Sequence, residues 1–346
     1  DHFLKKDYGL THETLGAEII RRELAPLLRG VRQCPNSRME AGESLDPEQV
    51  AMLIVRPTAA DSDRYPLWLI MVRSLFCGLY SVDSMDFVLR DAYMTGYSER
   101  AYDLDRILRY SFFSSKGLTI HHRGMNALLK FVQTKSELFR AVYFHRTVRA
   151  IDRTLEGLFL ESKPYLFSGN PLEHLDEYQQ FTEWSLLVDV ARWASENDPE
   201  MKRIGERWQA LLQRQVDWES VYEKNLTFGP GDTEQASIFS SAELVEPAVR
   251  NLLPAELSNM KMWIDLPRHL YRPDTRAATS GQNFLYNASG SIRPLTDDIL
   301  FRQLPISHRM CRVYLPKDAP PDHVREIGKA LDELTGGRSK DDLTNM

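Results

Sequence analysis

The stretch SVDSMDFVLRDAYMTGYS, residues 81–98, holds three carboxylates, an arginine and a phenylalanine at spacings that a helix would gather on one side. At about 100° per residue, Asp83, Asp86, Phe87, Arg90 and Asp91 share one face, while Val82, Met85, Val88, Leu89 and Ala92 share the other. Such a face is either an ordinary solvated stripe or a site. Phe87 needs an apolar neighbour, and the helix follows YPLWLIMVRSLFCGLYSV (65–82). With Pro66, Arg73 and Gly78 inside it, that apolar run reads as a buried helix rather than a membrane span. A carboxylate near such a segment needs a cation, a metal or hydrogen-bond donors. The residues alone leave both readings open.

The wording of the stretch goes further. VDSMDFVLRDAYMTG strongly resembles the D-x-D-x-[MW]-D-Y-x-x-R-D-x-x-x-x-G helix of HD-superfamily deoxynucleoside triphosphate triphosphohydrolases. This group includes bacterial dGTPase-like proteins and the SAM- and HD-domain-containing enzymes. LTHETLGAEIIRREL looks like the family's T-H-E helix, and KSELFRAVYFHRTVRAIDRTL (135–155) resembles its R-x-x-[ML]-[YH]-R-x-x-Y-x-H-[KR] helix. Order and spacing agree over roughly residues 11–160.

The resemblance implies roles for individual residues. Asp83 matches the carboxylate that closes an H…HD…D site for a divalent metal (Mg, Mn, Fe or Zn), whose open positions take water and phosphate. His12 and Glu13 match the catalytic pair beside the scissile phosphate. Phe87 stands where a tyrosine packs on the nucleotide, and Asp91 matches the carboxylate that receives the sugar 3′-hydroxyl. Lys135 replaces an arginine for the triphosphate, and Tyr143 matches the tyrosine that a 2′-hydroxyl would crowd. The implied reaction is attack of metal-bound water on the α-phosphorus of a dNTP, giving deoxynucleoside and triphosphate.

Several positions depart from the pattern. Ser81 replaces the first aspartate, Ser84 replaces a basic residue, and Lys135 lacks the bidentate reach of arginine. No His-Asp dipeptide occurs anywhere in the chain. Only ten residues precede Thr11, and the first is Asp1 rather than Met. The expectation is that this sequence starts just after the H…HD segment and is inactive without it, or else belongs to a form that binds no metal. The alternatives are a phosphohydrolase for another nucleotide or phosphorylated substrate, and a non-catalytic nucleotide-sensing or assembly protein.

Two other histidine features compete with bland readings. Neighbouring side chains His121 and His122 point in different directions, which fits an exposed turn better than a metal site. His145 reads either as a helix-surface residue or, by the resemblance, as a nucleotide or subunit contact. Neither a Gly-rich phosphate loop nor a nucleophile elbow occurs, so P-loop, kinase and Rossmann classes lack support.

The spacing of apolar residues predicts a helix over 17–28, a short one from Pro47, and an amphipathic one within 98–111. A long helix or two nearly collinear ones follow over 126–160, then helices over 175–195 and 199–223. FGPGDTEQAS (228–237) is rich in breakers. KMWIDLP, QNFLYN, GSIRPL and RMCRVYLP read as short strands, with NASG (287–290) a hairpin turn, before a last helix over 321–335 that ends at Gly336-Gly337. The expected fold class is mainly α: an HD-superfamily helical domain over 1–227, a linker or mobile loop over 228–240, and a C-terminal α+β module over 241–346.

The chain has 346 residues, 42% hydrophobic and 27% charged, which excludes disordered and fibrous classes. Its net charge of -6 provides no global basic field, so nucleic acid is a possible but unsupported partner, and a local basic pocket could hide in that average. Three scattered cysteines suit a reducing cytoplasm better than a disulfide framework or structural zinc. A nucleotide, by expectation a dNTP, is the partner, along with further copies of the chain, from dimer to hexamer. No membrane association is expected.

Overall fold

The structure, a computed structural model, describes residues 2–34, 36–55, 61–167, 169–229, 237–270 and 283–334. In chain order, the strands among them are β1 (Gln33–Cys34), β2 (Ser37–Arg38), β3 (Ser111–Ser114), β4 (Gly117–His121) and β5 (Trp218–Phe228). There follow β6 (Trp263–Asp265), β7 (Arg268–Leu270), β8 (Phe284–Tyr286), β9 (Ile292–Pro294) and β10 (Ser307–Pro316). They make three sheets: the hairpin β1–β2, the order β3–β4–β8–β9, and β5–β10–β6 with β7 also on β10.

These sheets correct the mainly α expectation with its HD-type helical domain; the fold class is α+β. Two strand regions lie within the stretch expected to be a helical body. SFFSSKGLTIH turns back on itself at Gly117, whose φ of +127° suits glycine, and forms β3 and β4. The helix expected over 199–223 is Pro199–Leu212; it stops at Gln213, and Arg214 takes a left-handed φ of 60°. Beyond it, WESVYEKNLTF alternates between half-buried and exposed positions, the period of a strand.

The chain divides into two compact units. The first comprises Asp1–Lys135, Pro164–Leu186 and Pro273–Gln303. Its helix His12–Ile19 is started by Thr11, whose hydroxyl accepts the Thr14 amide at 3.2 Å. Arg21 bridges Glu18 (2.8 Å) to Glu48 (2.6 Å) on the helix Pro47–Ile54. The apolar run at 65–82 is helical only over Leu67–Arg73 and is buried on one side alone. Leu67 and Trp68 are exposed, while buried Arg73 pairs with Asp61 at 2.6 Å. β4 joins β8 in parallel, so strands far apart in sequence complete this unit's sheet.

The second unit comprises Ser136–Lys163, Leu187–Arg272 and Leu304–Met346. β10 runs antiparallel to β5 along its length. One face of β10, through Cys311, Val313 and Leu315, meets Val245 and Val249 of the helix Ala242–Leu252 and Ile327 and Leu331 of the helix Pro321–Leu334. On the other face, buried Arg312 pairs with Glu223 at 2.7 Å and donates to the Phe144 carbonyl. Tyr314 donates to the Arg146 carbonyl at 2.9 Å, and Arg149 grips buried Asp265 with two bonds of 2.6 and 2.9 Å.

The four short runs expected as strands are β6, β8, β9 and β10, and at 287–290 the Asn287 side chain accepts the amides of Ser289 and Ser291. The stretch expected as one or two helices over 126–160 is Met125–Leu138, a π-helical turn Phe139–Tyr143, and Arg146–Leu166. Residues 230–236 of the expected loop and Gly336-Gly337 lie outside the described residues.

Candidate functional site

The helix Val82–Met94 starts where Ser81 turns extended and its buried hydroxyl accepts the Ser84 amide at 3.2 Å. Its inward stripe is Ser84, Met85, Val88 and Ala92. The expected apolar face is thus rotated: Val82 is 49% exposed and Ser84 lies inside. Tyr102 fixes the depth of the helix by donating to the Met85 carbonyl at 2.6 Å, and its ring meets Phe131 edge-on at 4.9 Å.

The helix Met125–Leu138 brings Lys135 to this stripe. Its ammonium donates to Ser84 Oγ at 3.0 Å and lies 5.4 Å from the centroid of the Phe87 ring. Burial pushes the Lys135 pKa down, and the charge of exposed Asp83 pulls against that shift. Ser84, Phe87 and Lys135 therefore form one cluster, a cation held against a hydroxyl and a ring face, with the charge of Asp83 acting on it from the position beside Ser84. The other two aspartates belong to Arg90, which reaches Asp86 at 3.2 Å and Asp91 at 3.1 Å. Asp91 is half-buried.

His12 and Glu13 open the helix His12–Ile19, with 3.6 Å between Nε2 and Oε1; His12 is exposed and Glu13 half-buried. Tyr143 falls in the second unit, on the π-helical turn, where its ring lies 4.9 Å from Phe139. The structure thus brings Asp83, Phe87 and Lys135 together and pairs His12 with Glu13. Among the described residues, no group of three or more His, Cys, Asp or Glu side chains is arranged to hold a metal ion. Asp83 belongs to no such group among them.

His121 ends β4 and His122 begins a short 3₁₀ turn into the helix Met125–Leu138, as the turn reading expects. His145 sits at the break before Arg146–Leu166, exposed, with Nδ1 accepting the Thr147 amide at 3.3 Å. Two features escaped sequence reasoning. Ser84 anchors Lys135 across 51 positions, a pairing no local pattern encodes. A cavity of about 370 Å³ in the second unit is lined by Arg146, Arg214, Lys317, Trp218, Glu219 and Tyr314, from segments equally far apart.

No family model matches the chain. It is 26% identical over 216 residues to the uncharacterized protein YwfO of Bacillus subtilis, a match covering 58% of this chain and 47% of that protein. It is 33% identical over 86 residues to the uncharacterized protein MJ1154 of Methanocaldococcus jannaschii, covering 24% and 19%. The chain therefore spans about half, or less, of the curated relatives it matches. Among solved structures it is similar to a hypothetical protein from Aquifex aeolicus, with a TM-score of 0.61 and 16% identity over 89% of this chain and 70% of that one. At that identity the likeness concerns the fold.

Proposed function

We propose that this chain carries the nucleotide-binding part of a phosphohydrolase, with a dNTP as its substrate. The observation that carries the reading is the cluster of Ser84, Phe87 and Lys135, with the charge of Asp83 acting on it. It holds a partly desolvated ammonium over an aromatic face, on the helix whose wording resembles the triphosphohydrolase motif. An ammonium in that setting attracts phosphate oxygens, and a half-buried ring takes a nucleobase or sugar. Arg90 offsets the charge of Asp86 and Asp91, which lowers their repulsion of an anion.

The implied reaction calls for a divalent metal; the described residues include no group of three or more ligands for one, and no step is routed through it. The chain's own residues bind and orient: Lys135 offsets phosphate charge, Phe87 packs the nucleoside, and His12 with Glu13 is the candidate pair for moving a proton. Cytoplasmic location and homo-oligomeric assembly belong to the same proposal. Among the described residues, no helix is long and apolar enough to cross a membrane.

The test is release of inorganic triphosphate from each dNTP with Mn²⁺ or Mg²⁺, by a preparation that includes the expected H…HD segment. No release by folded, nucleotide-binding protein would sink the activity. This chain alone is expected to bind without cleaving. The cavity bearing Arg146, Arg214 and Lys317 favours a second reading, a non-catalytic protein that senses an anionic nucleotide. Under that reading, Arg214→Ala weakens nucleotide binding and Lys135→Ala does not.

A further inference from the structure

The sheet β3–β4–β8–β9 presents a ring-lined face that the Lys135 cluster does not use. Its registers set Phe112 opposite Thr119, Thr119 opposite Phe284, and His121 opposite Tyr286. Side chains alternate along strands, so these residues share one face, while Ile120 and Leu285 are buried on the other. Tyr110, just before β3, extends the row. Its ring centroid lies 5.8 Å from that of His121, which lies 5.4 Å from Tyr286, which lies 6.0 Å from Phe112. Phe112 is 39% exposed and the other three are half-buried, so the row is open to solvent.

Cationic residues flank the strands that carry these rings, Arg106 before β3, Lys116 before β4 and Arg123 after it. The Arg106 guanidinium sits 5.5 Å from the Tyr110 centroid and donates to the Arg123 carbonyl at 3.0 and 3.1 Å. The Arg123 amide donates to His121 Nδ1 at 3.1 Å, which fixes the imidazole in the row. Lys116 donates to the Ile292 carbonyl at 3.1 Å. The partners of Arg106 and Lys116 are carbonyls and a ring, which leave the positive charge intact. Among the described residues no carboxylate lies within ion-pair distance of Arg106, Lys116 or Arg123.

We propose that this face binds single-stranded nucleic acid, with bases stacking on the row Tyr110–His121–Tyr286–Phe112 and phosphates meeting Arg106, Lys116 and Arg123. Rings without pockets suit bases of any sequence, because every base offers a π-face, and bordering cations follow the backbone between them. A duplex hides its base faces and gains only the cations. An acidic peptide would use the cations and leave the rings idle.

The test is fluorescence anisotropy of labelled oligodeoxythymidine and oligouridine strands of about a dozen nucleotides, with the same DNA annealed to its complement. Both single strands are expected to bind, with the duplex at least about 10-fold weaker. With three phosphate contacts, raising salt from about 50 to about 200 mM weakens single-strand binding ~20-fold. Phe112→Ala lowers affinity about 10-fold, and Arg123→Glu lowers it and flattens the salt dependence, both with unchanged melting. Lys116→Glu gives a second, exposed probe of the charge. Any of four results would overturn the proposal: no binding by folded chain, duplex bound as tightly, ring and charge variants at full affinity, or displacement by a mononucleotide mole for mole.

Discussion

Lys135 shows how one side chain acquires several partners through distance in sequence. Burial disfavours its charge, while Ser84, the Phe87 ring and Asp83 favour it. As a sequence position, Ser84 looks like the loss of a phosphate-binding cation; in the fold it is the hydroxyl that aims one. The three cysteines separate on similar grounds. Exposed Cys34 accepts help from Ser37, whose hydroxyl 2.9 Å away holds the thiol below its ordinary pKa. Burial raises Cys77 and pushes Cys311 up to about 12. Only the thiolate attacks, so Ellman's reagent should titrate Cys34 first, Cys77 slowly, and Cys311 only after unfolding. Fast labelling of Cys311 in native protein would contradict its place in the second unit's core.

At the scale of elements, the helix Val82–Met94 depends on its first turn. Ser81→Ala removes the cap and should cost about 1 kcal/mol in chemical denaturation. The helices Glu183–Trp193 and Pro199–Leu212 meet where Gly205 faces the backbone of Trp193 and Ala194. A Cβ there collides with main chain that cannot swing aside, so Gly205→Ala should destabilise by about 3 kcal/mol or more. A loss near that of a solvent-facing glycine would show the helices free to part. Elements with strong local signals were legible: the runs that form the strands β6, β8, β9 and β10, and the helix that begins at Pro199. The site helix was legible too, but its rotation was not, because Val82 is more apolar than Ser84 and only tertiary contact decides which turns inward. The break at Phe139–Tyr143 contains neither Pro nor Gly, so the helical pattern ran straight through it.

At the scale of the whole molecule, long-range pairing decided the fold class. β4 finds β8, and β5 finds β10, from far along the chain, and no local period tells which strands meet. The same assembly buries His308, opposite His269, with Nδ1 3.4 Å from the Thr227 hydroxyl and Nε2 without a partner among the described residues. Burial, then the charge of Arg140, lowers its pKa. Below the ordinary value of about 6.5, the unfolded chain takes up a proton that the folded chain refuses, so stability falls as pH drops through that range and is retained above it. Denaturation midpoints at about pH 7.5 and about pH 5.5 should show this loss, and His308→Asn should reduce it. The central claim is that the cluster of Ser84, Phe87 and Lys135 holds a nucleotide phosphate. Calorimetric titration of the chain and of Lys135→Ala with a dNTP tests it most directly. The prediction is saturable binding by the parent chain and affinity at least about 10-fold lower in the variant. Equal affinity in the two, or no binding by the folded parent, would contradict it.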